Sequence, residues 1–202
     1  MAGPRSDVPL TEVAPGLRRW TAWHEEWQED VGCLAVDTDD GLVLIDPLDP
    51  PRGLRRPQHV LLTVHWHVRS TKARHVWAHQ RAIRLLANRG VEVSHPITAG
   101  DPLPGGIRAF ETARPGEVVY WLPRQRALAV GDVLLGAGAK PRDTGAPLRL
   151  CPERWLGKAT HDDLRESLAP LLELPVARVL VSHGRPVLRG GARALAVALA
   201  AP

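Results

Sequence analysis

Apolar and polar positions alternate in short blocks along this chain. Two apolar runs, Gly32–Val36 and Leu42–Ile45, flank a turn rich in Asp and Gly and predict a β-hairpin. His59–Val64 reads as a short strand of the buried type, and Val91–Ser94 as another. Residues 71–89 show helical periodicity, with Val76, Ile83, Leu86 and Ala87 on one face and Gly90 at the stop. Ile107–Glu111, Val118–Leu122 and Ala127–Val130 read as strands. HDDLRESLAPLLEL has an acidic start and a leucine face and predicts a helix despite Pro170. Val179–Val181 is a strand ending in Ser-His-Gly, and a last helix covers residues 189–200. This order predicts two sheets with helices outside them, in one domain over residues 1–202, with residues 1–16 as a loose lead-in.

The bulk numbers narrow the class. With 202 residues, 44% of them hydrophobic, the chain is long enough to bury a sizeable core. No apolar run approaches the roughly 20 residues needed to span a bilayer, and the N-terminus lacks a signal-peptide pattern. The two cysteines form no CxxC, which fits a reducing cytoplasm. A net charge of +4 raises nucleic-acid binding, but the arginines are interleaved with Asp and Glu. With one Tyr and one Phe there is no stacking strand of the RNA-binding type. A small-molecule ligand is the better expectation. The oligomeric state is not legible.

The candidate chemistry collects just past apolar strands: Asp46 in LIDP, His65 and His67 in LTVHWH, Asp132 in ALAVGD and His183 in VLVSHG. Such residues, scattered in sequence, can converge on one sheet edge, where ligands of α/β proteins bind. Imidazoles plus a carboxylate make a plausible zinc shell. His24, His95, Glu111 and Glu117 are further donors, and His75 and His79 have helical i, i+4 spacing without the Glu of HExxH. Neither GxSxG, a phosphate loop nor GxGxxG occurs. In WTAWHEEW, Trp20, Trp23 and Trp27 have the spacing of a helix stripe, and packing explains them as well as a ligand does.

The ordered set resembles the metallo-β-lactamase fold superfamily over most of the chain. Its carriers are Asp40–Asp46, Leu62–His67, Arg114–Pro123, Gly131–Leu135 and Ser182–Gly184. The resemblance implies an α/β fold, an αββα four-layer sandwich with a metal site at one sheet edge. It also implies hydrolytic chemistry on thioesters, lactams, lactones or phosphodiesters, with some members acting as oxidoreductases. Residue by residue it places metal ligands at His65, His67, Asp132 and His183, and a supporting aspartate at Asp46. It makes WTAWHEEW the first strands and a loop over the site, so that Trp23, His24 and Trp66 wall a pocket.

The family pattern then breaks. His-x-His-x-Asp-His ends here in Arg69 and Ser70, and the family's third histidine falls on Ala113. A guanidinium keeps its charge, and about 4 Å from a dication it is repelled by several kcal/mol at an effective dielectric near 20. Arg69 therefore argues against a second metal. The sequence supports a hydrolase of an ester, thioester or lactone with at most one zinc, in which Arg69 and Asp132 act in catalysis. The rival is a metal-free protein that binds a small anion through the same polar network, with Arg69 on Asp132.

Overall fold

The computed structural model describes residues 9–68, 70–98, 100–141 and 144–201. A seven-stranded sheet runs in chain order: β1 (Thr11–Ala14), β2 (Leu17–His24), β3 (Glu29–Thr38), β4 (Gly41–Ile45), β5 (His59–Leu62), β6 (His75–His79) and β7 (His95–Ile97). β1 to β4 pair antiparallel and β4 to β7 parallel. The second sheet has the order β13 (Arg178–Val181), β10 (Ala127–Val130), β9 (Val118–Leu122) and β8 (Arg108–Glu111). β11 (Leu134–Gly136) and β12 (Leu148–Leu150) form a small hairpin.

Three apolar layers make the sandwich. Leu17, Val36, Ile45 and Leu61 of the large sheet meet Val118, Tyr120, Leu122 and Leu180 of the small one. Trp20, Leu44, Val60 and Leu62 point the other way, against Ala82 and Leu86 beside and on the short helix α1 (Ile83–Ala87). Val119, Leu128 and Val179 carry the outer face of the small sheet against Leu164, Leu168 and Leu195 of α2 (His161–Leu168) and α3 (Gly191–Ala200). Alternate residues of each central strand thus face opposite layers, as the pleat requires. Thr160 caps α2 with a reciprocal bond to Asp163. Pro170 falls in a 3₁₀ extension, Ala169–Glu173, where the α-helix has already ended.

Three segments differ from the sequence expectation. Residues 71–89 are not one helix: β6 occupies His75–His79, and only Ile83–Ala87 is α-helical. Val76 and Ala78 alternate inward, and the free edge of β5 beside them offers a parallel ladder that a helix would forfeit. His75 and His79 consequently do not share a helix face. The strand after the helix is His95–Ile97 rather than Val91–Ser94, because the Val91 N–H caps α1 by donating to the Leu86 carbonyl. Within the expected lead-in, Thr11–Ala14 pairs with β2.

Candidate metal centre

The carboxyl ends of β4, β5, β10 and β13 meet at one edge of the sandwich. At the end of β4, Asp46 has φ +47°, a left-handed conformation that Asp tolerates better than most residues. Its side chain turns back over the end of β5. There Asp46 Oδ1 accepts the Thr63 N–H at 2.8 Å, and Oδ2 accepts the Thr63 hydroxyl. The same Oδ2 lies 2.8 Å from His67 Nδ1, which fixes the imidazole from behind.

His67 Nε2 faces forward, 3.1 Å from Asp132 Oδ1. His183 Nε2 approaches the same oxygen at 3.0 Å, and its Nδ1 lies 2.8 Å from Glu29 Oε1 but out of line for a hydrogen bond. One ligand atom from each of His67, Asp132 and His183 falls within a 4.8 Å group, with all three residues buried. At these distances His67 Nε2 and Asp132 Oδ1 are still out of line for a hydrogen bond, and both atoms are buried. Two imidazoles and a carboxylate whose facing atoms converge without bonding each other are a donor set suited to one cation.

The other oxygen of Asp132 is occupied. Oδ2 accepts the Trp66 indole N–H at 2.7 Å and an Arg114 N–H at 3.3 Å. Arg114 stacks on the Trp66 ring at 4.2 Å and reaches Glu117 Oε2 at 3.3 Å. Glu117 Oε1 in turn accepts the backbone N–H groups of Asp132 and Val133 at 2.6 and 2.9 Å. Gly131 permits this, since a Cβ there would stand 2.8 Å from Glu117 Oε1 and 2.6 Å from Thr63 Oγ1.

The electrostatics follow from this packing. Burial alone would push the His67 imidazole down, but Asp46 and Asp132 reverse that and raise it to about 10. Burial likewise opposes the charge on His183, and Asp132 and Glu29 override it upward. Asp132 would be raised by burial, yet the two imidazoles hold it well below the usual carboxylate range. Glu117 goes the other way: burial and then the charge of Asp132 raise it to about 7.

The sequence candidates are distributed unevenly over this centre. His67, Asp132 and His183 come together, with Asp46 behind His67. His65 does not join them: it packs edge-on against Trp66, and burial with the charges of Arg89 and Arg114 pushes it down to about 4. Arg69 lies outside the described residues. Ser70 donates its N–H to the Pro47 carbonyl and lines a separate groove. Trp66 and His24 line the open cleft of about 640 Å³ in front of the centre. The third aromatic residue of WTAWHEEW does so too: Trp27 stacks on His24 and lies 5.7 and 5.3 Å from the His67 and His183 rings. Trp23 is not among the cleft residues. His75 meets His59 and His95 on the large sheet, at ring distances of 5.1 and 4.9 Å. His79 is buried against Glu111.

Two residues of the centre carry no advance signal as ligand supports. Glu29 opens β3 and reaches His183 only through the pairing of Val31 with His183 across the two sheets. Arg114 stands in Ala-Arg-Pro-Gly beside the lost histidine position, and that departure was the available clue.

The comparisons place the architecture. The metallo-β-lactamase from Pontibacter korlensis superposes with a TM-score of 0.67 at 17% identity, over 95% of this chain and 98% of that one. The Erythrobacter litoralis metallo-β-lactamase gives 0.68 at 15%, over 96% and 95%. The chain has the metallo-β-lactamase fold. The FIM-1 metallo-β-lactamase from Pseudomonas aeruginosa, in a mono-zinc form, gives 0.65 at 14%, over 98% and 96%. No family model and no curated relative matches the sequence. No helix among the described residues is long and apolar enough to cross a membrane.

Proposed function

We propose that this chain is a hydrolase of an ester, thioester or lactone that works with a single metal held by His67, Asp132 and His183. The convergence of three buried donors whose facing atoms are not satisfied by one another carries this reading. Each imidazole has a carboxylate behind it, Asp46 or Glu29, as ligating histidines ordinarily do. One structural neighbour, the FIM-1 metallo-β-lactamase, is in a mono-zinc form, which supports a one-metal state in this fold.

When bound, zinc supplies a Lewis acid that makes a coordinated water acidic and polarises a carbonyl. The protein's own groups set the geometry. Asp46 and Glu29 orient the two imidazoles. Trp66 and Arg114 hold one oxygen of Asp132 and leave the other to face the metal. Trp27 covers the two rings and limits the access of bulk water. Arg114 and Arg89 present positive charge to the cleft, suited to a negatively charged substrate group or a developing oxyanion. Arg69 is assigned the same task from its place two residues after His67.

A second reading rests on the raised His67 imidazole. An imidazolium beside Arg114 can stand where the metal would, which gives a metal-free anion-binding protein. Metal content decides between the two. Protein purified without chelator, then zinc-loaded and desalted, is expected to retain about one zinc per chain, and His67→Ala and Asp132→Ala are expected to retain none. Esterase, thioesterase and lactonase activity should follow the metal. Absence of retained zinc in the unmodified chain would overturn the hydrolase and leave the anion-binding reading.

A further inference from the structure

A second cavity of about 330 Å³ lies beside the cleft and shares Glu29 with it. Arg19, Thr21, Asp30, Gly184 and Arg185 line the remainder. Arg19 sits on β2 with its side chain reaching across β3: a Cβ on Gly32 would stand 2.6 Å from an Arg19 terminal nitrogen and 2.7 Å from the Val181 carbonyl oxygen. Glycine at position 32 therefore clears the path that the guanidinium takes.

That guanidinium is an anomaly among the described residues. Its Nε is fully enclosed with no hydrogen-bond partner, and no ion pair reaches the group. Burial pushes Arg19 down from the ordinary arginine value, although an arginine keeps its proton in proteins. Arg19 is half-buried, and an enclosed Nε with no acceptor is unfavourable on a charged group. The acidic groups nearby do not fill the role. Glu29 lies against the raised His183 imidazole, and Asp30 acts on Arg19 only through space. Arg185, exposed on the other side of the cavity, adds a second positive charge.

We propose that this cavity is an oxyanion site, in which Arg19 and Arg185 bind a phosphate or the phosphate group of a phosphomonoester, with the Thr21 hydroxyl on the same wall. Two guanidinium groups match the oxygens of a phosphate by paired N–H donors. The volume leaves room for a small group esterified to the phosphate. The site adjoins the metal centre through Glu29, but its two guanidinium groups are not part of that centre.

Calorimetric titration of metal-free protein with inorganic phosphate tests it, at constant ionic strength with chloride as the reference salt. Saturable binding of one phosphate per chain is expected, weakened at least ten-fold in Arg19→Met and several-fold in Arg185→Met. Arg108→Gln, exposed on β8 and outside both cavities, should bind phosphate as the unmodified chain does. Phosphate should raise Tm only when Arg19 is present. Unchanged phosphate binding in Arg19→Met, loss of binding in Arg108→Gln, or an equal response to chloride would each overturn the proposal. Should Arg19→Met fail to fold, Arg185→Met and Arg19→Gln carry the same comparison.

Discussion

Alkaline pH should destabilise the metal-free protein through its two buried histidines, His67 above all. The His67 imidazole stands at about 10 in the folded chain against an ordinary value of 6.5. Burial opposes its charge, but Asp46 at 2.8 Å and Asp132 at 3.1 Å prevail. A group whose value is raised on folding contributes fully below its unfolded value and loses that contribution as pH climbs through the folded one. Each pH unit in the window from 6.5 to about 10 removes about 1.4 kcal/mol, so about 3–5 kcal/mol disappears across it. That is a large part of the roughly 5–15 kcal/mol that holds a domain together. The lowered Asp132 is the other side of the same contact and adds nothing further. Urea denaturation with chelator present, at pH 6.5, 7.5, 8.5 and 9.5, reads the loss directly. His67→Gln should be less stable at pH 6.5, since it takes a cation from between Asp46 and Asp132, and should fall less steeply above it, with only the raised His183 left to lose its proton. Zinc-loaded protein should be flat, because the metal has already displaced the proton. A wild-type midpoint that does not move between pH 6.5 and 9.5, or a His67→Gln variant that falls in parallel with it, would refute the reasoning.

Asp46→Asn should weaken zinc binding about 10- to 100-fold in a chelator competition, as loss of a carboxylate behind a ligating histidine does. It should also shrink the alkaline loss of stability. His65→Ala should leave zinc stoichiometry unchanged, since His65 stands apart from the three converging donors; zinc lost in that variant would mean that the loop rearranges around the metal. Gly136→Ala should destabilise the chain by about 3 kcal/mol or more in urea, because the added Cβ would stand 2.1 Å from the Arg185 carbonyl oxygen, a backbone atom with little freedom to retreat.

The strands β3, β4, β9, β10 and β13 were legible because each is a short apolar run bounded by turn residues, and the ends of β4, β10 and β13 delivered Asp46, Asp132 and His183. β6 was not. His-Val-Trp-Ala-His sits in a stretch whose apolar spacing also fits a helix, and only the ladder offered by β5 decides for a strand. The candidate metal ligands separate in the same way. His65 and His67 are indistinguishable in the sequence, yet Asp46 holds only the second, through the left-handed turn at the end of β4. Glu29 was invisible because its partner lies 154 positions along the chain, on a different sheet. Local pattern identifies strand ends; which side chain is fastened there depends on pairings between sheets that no local pattern encodes.

The chain's departures from the family pattern make sense as a charge balance around Asp132. A carboxylate that serves two metals gives one oxygen to each. Here Oδ1 keeps the two imidazoles, while Oδ2 has the Trp66 N–H and the Arg114 guanidinium. Arg114 is largely enclosed, stacked on Trp66 and tied to Glu117, so a second cation at Oδ2 would have to displace a group fixed on three sides. On the Oδ1 side the balance is different. His67 and His183 are both raised toward their protonated forms by carboxylates within hydrogen-bond distance. Exchange of two imidazolium protons for one divalent ion leaves the total charge of the buried cluster unchanged. One metal would therefore enter by trading protons already held in place, whereas a second would add charge where a fixed guanidinium already supplies it. The same arrangement that closes the second metal position prepares the first.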